Sequence, residues 1–190
     1  MHYLPGPLSL TNMSNSGVLH AFDATSAYLG KPADTVHGRG VICRQSSPAK
    51  VIACASLAAW VWVGGEFPST IDVVSDAHFR SPIFGRRVRP FSRKIDRRYI
   101  TTVGGMPVTT PIRTTCDIVL IQADTRKSTD HATAQRTIRL LMDQYGFGMS
   151  ECLDMLNADS KHCPKIRDAR TLLTRITDTT ATIQDEPWHG

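Results

Sequence analysis

The 190-residue sequence has no apolar run long enough to span a bilayer. Its longest near-apolar stretch, Val51 to Val63, has 13 residues and includes Ser56, where a membrane helix needs about 20. It therefore predicts a buried helix. No Lys or Arg precedes Lys31, and Pro5 and Pro7 stand early, so the N-terminus does not read as a secretory signal. Cysteine is sparse. Cys43, Cys54, Cys116, Cys152 and Cys163 are odd in number and widely spaced. That predicts free, structural thiols in a reducing compartment, the cytoplasm. Cys152, His162 and Cys163 form the nearest approach to a zinc set but lack its paired short spacings. The phosphate-loop, dinucleotide, zinc-protease and nucleophile-elbow patterns are all missing. Neither metal nor cofactor is expected.

What is present is a locally basic chain with enough apolar residues for a core. Hydrophobic residues are 41%, charged residues 21% and aromatics 7%, which excludes wholesale disorder. Net charge is +5. Eight of the 22 basic residues lie between positions 80 and 98: Arg80, Arg86, Arg87, Arg89, Arg93, Lys94, Arg97 and Arg98. Asp96 is the only acid there, so the window carries +7 and the rest of the chain −2. Such a local field is the footprint sought in nucleic-acid binders. A docking face for an acidic protein and a merely solvated basic surface are the alternatives.

The pattern predicts an α+β fold with a small mixed or antiparallel sheet, a central apolar helix and a C-terminal helical part. Residues 17–30 suggest a short helix. Gly38-Arg39-Gly40-Val41-Ile42 suggests a turn entering a strand. Ser46-Ser47-Pro48 suggests the start of a helix running to Val63 and stopped by Gly64-Gly65. Strands are expected at 70–75, 88–92, 99–103 and 106–109, the last two joined by Gly104-Gly105. Pro107 points to an edge strand. A helix is expected from Pro111 to about Gln122. Ala134, Ile138, Leu141, Met142 and Tyr145 form an amphipathic stripe. Ser150 suits the cap of a helix through Asn157. Pro164 suits the start of another, with Ile166, Ala169, Leu173 and Ile176 as its buried face. Residues 1–16 and 177–190 read as tails.

Catalytic candidates are few. A metal-dependent nuclease needs clustered carboxylates, and Asp72, Asp76 and His78 come nearest. No Glu-x-Lys pair follows them, and surface residues on a strand and turn is the stronger reading. Arg113 and Asp117 are four apart on a helix and can pair.

The order of segments resembles the AbiEi-type antitoxins of type IV toxin–antitoxin systems. Ser56-Leu57-Ala58-Ala59-Trp60 ending at Gly64 is similar to that family's "SAA" helix. Ile71-Asp72-Val73-Val74 and the arginine-rich turn follow in the family's order. Val103 to Asp117, VGGMPVTTPIRTTCD, resembles its most specific signature, through Gly105, Pro107, Thr109, Pro111, Arg113 and Asp117. The resemblance implies a cytoplasmic, non-enzymatic bacterial regulator that binds DNA and counters a nucleotidyltransferase-like toxin. It divides the chain into a tail with a shortened winged helix-turn-helix (1–45), an antitoxin-like α+β domain (46–176) and a tail (177–190). The eight basic residues are the expected contact to DNA or toxin.

Overall fold

A computed structural model describes residues 12–23, 26–124, 131–158 and 166–181. It is an α+β protein, and its contacts divide it into two compact units, one through Thr109 and one from Thr110.

The first unit opens with a hairpin of β1 (Leu19–Ala21) and β2 (Ala27–Leu29) in antiparallel register, Leu19 opposite Leu29. The short helix expected over 17–30 is not there. Asp23 turns the chain by accepting the Ser26 amide at 2.8 Å, an Asx-type turn. The aromatic side chains then decide the conformation. Phe22 and Tyr28 lie 4.8 Å apart and reach Phe67 and Trp60.

The expected turn and strand at 38–42 is also corrected: α1 spans Val36–Gln45. Thr35 caps it, accepting the Gly38 amide at 3.0 Å. Its glycines serve close packing instead of a turn. A Cβ on Gly40 would stand 2.3 Å from the Val103 carbonyl oxygen, and one on Gly104 2.3 Å from the Val41 nitrogen. Helix and hairpin touch backbone to backbone there. Residues 36–45, grouped with the N-terminal segment by the sequence, pack on α2 (Ala55–Val63) inside this unit.

The helix expected from Ser47 begins later. Ser46 turns its hydroxyl back on the Ile42 carbonyl at 2.8 Å, which ends α1. A two-residue strand, β3 (Ile52–Ala53), intervenes. From Ala55 onward α2 is central: Leu57, Ala58 and Val61 are fully buried, as a helix apolar on all faces must be. It stops at Gly64. Trp60 and Trp62 pack in the core and donate their indole N–H groups to the carbonyls of Gly65 and Thr109.

The five-stranded sheet has the order β5-β4-β3-β7-β6. Its other strands are β4 (Thr70–Val74), β5 (Arg87–Phe91), β6 (Ile100–Val103) and β7 (Met106–Thr109). Gly104 and Gly105 both have positive φ, the requirement of a two-residue hairpin turn. Pro107 does not mark an edge: β7 is interior and β6 is the edge. The short β3 meets β7 at the single pair Ala53–Val108, so little of that ladder depends on Pro107.

The second unit is helical: α3 (Pro111–Asp124), α4 (His131–Tyr145), α5 (Met149–Ala158) and α6 (Ile166–Ala181). Ile138 and Leu141 of the amphipathic stripe are fully buried, as are Ala169 and Leu173. Pro164 and the side chain of Ile176 lie outside the described residues. Ser150 sits inside α5 and does not cap it. Glu151 instead accepts the Gly148 amide at 3.2 Å, the glutamate half of a capping box. The helix continues through 177–181, where a tail was expected. No described helix is long and apolar enough to cross a membrane.

Candidate nucleic-acid interface

Strand β5 is one edge of the sheet and β6 the other. β5 is parallel to β4, β4 antiparallel to β3, β3 parallel to β7 and β7 antiparallel to β6. The chain must therefore cross the full width of the sheet between Phe91 and Ile100. Four strand spacings at about 4.8 Å make roughly 19 Å along the sheet. The connection has no regular structure over 92–96 and closes in a single 3-10 turn, Arg97–Tyr99, capped by Asp96. It carries Arg93, Lys94, Arg97 and Arg98.

The eight basic residues fall into two groups. Arg86 and Arg89 are half-buried and engaged by other groups of the fold. Arg86 donates to the carbonyls of Pro68 (2.9 Å), Phe84 and Phe22. Its guanidinium also lies 5.6 and 5.2 Å from the ring centres of Phe22 and Phe67, tying the β1–β2 hairpin to the body of the unit. Arg89 binds Asp72 with two parallel bonds, Nε to Oδ1 at 2.7 Å and Nη2 to Oδ2 at 3.0 Å. Burial works against the charge on Arg89, yet the Asp72 carboxylate outweighs it and its pKa is raised.

Of the other six, Arg93 is half-buried and five face outward. Arg80, Arg87, Lys94, Arg97 and Arg98 are exposed. Arg98 pairs with Asp96 at 3.1 Å, with both side chains more than half exposed; such a pair is worth little. Arg80, Arg87, Lys94 and Arg97 have no ion-pair or hydrogen-bond partner for their side chains among the described residues. Arg93 stacks over Phe91 at 4.7 Å and Arg98 over Tyr99 at 4.7 Å.

The carboxylate candidates are not brought together. Asp72, expected at the surface, is fully buried. Cys54 stands at the N-cap of α2 without a side-chain capping bond. Asp72 supplies that bond from β4, accepting the Ser56 amide at 3.2 Å and its hydroxyl. A carboxylate at the positive end of a helix is favoured there. Asp76 is exposed and accepts the Ser92 hydroxyl at 2.5 Å. His78 is exposed. Among the described residues no three His, Cys, Asp or Glu side chains lie close enough to hold a metal ion. His162 and Cys163 lie outside those residues.

The signature-like stretch is taken up by folding. Gly105 closes the hairpin turn, Pro107 and Thr109 belong to β7, and Pro111 opens α3. Arg113 and Asp117 form a buried ion pair at 3.0 Å, with side chains 3% and 1% exposed. The sequence marked this pair but not its burial.

The four described thiols, Cys43, Cys54, Cys116 and Cys152, form no disulfide and are buried; Cys163 lies outside the described residues. Burial pushes the Cys43 thiol up to about 12 from its ordinary 9.0. Cys116 is also raised well above that value, by its contact with Cys152 and then by burial. Cys43 and Cys116 therefore stay protonated at neutral pH and are poor nucleophiles. The consequence for stability has a definite sign. A folded-state pKa above the unfolded one favours folding fully below pH 9, and that contribution is lost as pH rises toward 12. Urea midpoints should therefore fall between pH 9 and 11, and Cys43→Ala should flatten that fall by about 1.4 kcal/mol per pH unit. An alkaline limb identical in the variant would refute the assignment.

Two further internal devices escaped the sequence. Arg39 is 7% exposed and donates to the carbonyls of Val61, Ala33 and Trp62 at 2.8–3.0 Å. A lone arginine between two glycines carries no periodic signal. A shallow cleft of about 350 Å³ beside Arg86 is lined by His20, Tyr28, Glu66 and Phe67. Burial raises the Tyr28 pKa against the lowering effect of Arg86. No protein-family model, no curated protein and no solved structure matches this chain.

Proposed function

We propose that the protein is an antitoxin-like, non-enzymatic regulator that binds DNA through phosphate contacts along β5 and the connection to β6. One observation carries this reading. Once Arg86 and Arg89 are committed to carbonyls and to Asp72, four cations, Arg80, Arg87, Lys94 and Arg97, remain exposed without an acidic partner among the described residues. Arginine is suited to phosphate because its planar fork binds two oxygens at once. The non-enzymatic part is supported by Asp72. The carboxylate on which a nuclease reading would rest is fully buried and held by Arg89 and Ser56. The antitoxin part rests on the resemblance over Val103 to Asp117, and adds a nucleotidyltransferase-like toxin as a second partner.

The test uses exposed residues only, because Arg86 is needed for the fold. Replacing Arg87 and Arg97 together by alanine should weaken binding to unrelated DNA sequences alike. It should flatten the dependence of log K on log salt by roughly 2 units, one per lost phosphate contact. Unchanged affinity at low salt would remove DNA from this face. The toxin would then be its partner, tested by co-purification with a nucleotidyltransferase-like protein.

A further inference from the structure

We infer that the cleft beside Arg86 binds a small zwitterion with a flat aromatic side chain, the chemical class of the free aromatic amino acids. The inference goes beyond the proposed function and stands whatever the basic surface binds. The cleft holds about 350 Å³, near the low end for a small-molecule site. His20, Tyr28, Glu66, Phe67 and Arg86 line it, and all belong to the unit through Thr109. Its ring surface is ready-made. His20 is exposed and Tyr28 half-buried, with ring centres 5.2 Å apart and planes tilted by 30°. Behind Tyr28, the buried Trp60 and Phe67 stand at 5.8 and 6.0 Å and hold it in place. A flat ring packs on such a wall edge-on or offset, at little ordering cost.

Two opposite charges line this space without meeting. Arg86 and Glu66 form no ion pair with each other or with any other described residue. Both still reach Tyr28: burial raises its pKa most, Arg86 lowers it and Glu66 raises it. The Tyr28 hydroxyl is therefore a neutral donor, and it has no hydrogen-bond partner among the described residues. Arg86 spends Nε and Nη1 on the carbonyls of Pro68, Phe84 and Phe22, while Nη2 donates to nothing among the described residues. A carboxylate can accept from Nη2 and from the Tyr28 hydroxyl. An ammonium one carbon away then meets Glu66. A bare carboxylate would add a second negative charge near Glu66, and a bare amine a second positive charge near Arg86. A zwitterion answers both.

The experiment is saturation-transfer NMR titration of the full chain with three probes: L-phenylalanine, 3-phenylpropionate, which lacks the ammonium, and phenethylamine, which lacks the carboxylate. Phenylalanine should bind tightest. Phenethylamine should be weaker by about tenfold or more, for a lost bond to a half-buried cation. 3-Phenylpropionate should be weaker by about threefold to fivefold, because the contact to Glu66 is an exposed ion pair. Two variants separate the ends of the ligand. Glu66→Gln changes an exposed side chain with no bonded partner among the described residues. It should weaken phenylalanine and phenethylamine but not 3-phenylpropionate. Tyr28→Phe keeps the ring and removes the hydroxyl. It should weaken phenylalanine and 3-phenylpropionate but spare phenethylamine. A merely structural role would shift all three probes together, and far-UV circular dichroism checks that each variant keeps its fold. 3-Phenylpropionate binding as tightly as phenylalanine, or a Glu66→Gln loss common to all three probes, would overturn the zwitterion. Absence of saturable phenylalanine binding would overturn the site itself.

Discussion

Replacing Asp117 by alanine is expected to lower stability by about 3–5 kcal/mol, the usual cost of removing one member of a buried ion pair. Arg113 and Asp117 sit one turn apart on α3, bonded at 3.0 Å, with side chains 3% and 1% exposed. Around them Thr114, Thr115, Cys116, Ile118 and Val119 are also buried. Without the carboxylate, a guanidinium stays in a dry environment with its main counter-charge gone. The pair need not be strongly stabilising in itself, since both ions lost their hydration to form it. The double replacement Arg113→Met, Asp117→Leu should therefore recover much of the loss. Urea unfolding followed by far-UV circular dichroism measures all three chains, and the double-mutant cycle isolates the coupling. A loss below about 1 kcal/mol in Asp117→Ala would mean that Arg113 finds water, and that the pair behaves as a surface one.

How much of this was readable in the sequence depends on how far away the deciding partner lies. The strands at 70–74, 100–103 and 106–109 follow from β-branched residues and the Gly104-Gly105 turn. The helices from Pro111 and His131 follow from their 3.6-residue periods. Each is a local signal. The failures are non-local. Gly38 and Gly40 look like turn residues, yet Gly40 is there because Val103, some sixty residues on, passes too close for a Cβ. Asp72 was placed on a strand correctly. Period two cannot say that the N-terminus of α2 covers it, because that depends on Ser56 packing across the unit. The charge window was visible as a count. Its division was not, since Arg86 is claimed by carbonyls 18 and 64 residues away. The candidate surface is therefore smaller than the sequence suggested and differently composed.

Replacing Arg39 by methionine should cost about 3–5 kcal/mol, although no sequence pattern singles this residue out. Its guanidinium donates Nε–H to the Val61 carbonyl at 2.9 Å, Nη2–H to Trp62 at 3.0 Å and Nη1–H to Ala33 at 2.8 Å. Val61 and Trp62 belong to the last turn of α2, whose terminal carbonyls lack intrahelical partners. A cation there also meets the negative end of the helix. Each hydrogen bond to a charged group is worth about 1.5–3 kcal/mol, and an acceptor left buried without a donor costs about 1–3 kcal/mol. Some rehydration of the freed carbonyls brings the sum down to the figure above. Methionine keeps most of the stem's volume, so the loss reports hydrogen bonding and charge more than cavity formation. Arg39→Lys separates those two: it keeps the charge, but a single ammonium cannot reproduce the three-pronged geometry, and it should recover less than half of the loss. Urea unfolding followed by tryptophan fluorescence suits the test, because Trp60 and Trp62 lie on the helix that Arg39 closes. Full recovery by lysine would show that charge alone holds the end of α2 and that the bond geometry contributes nothing.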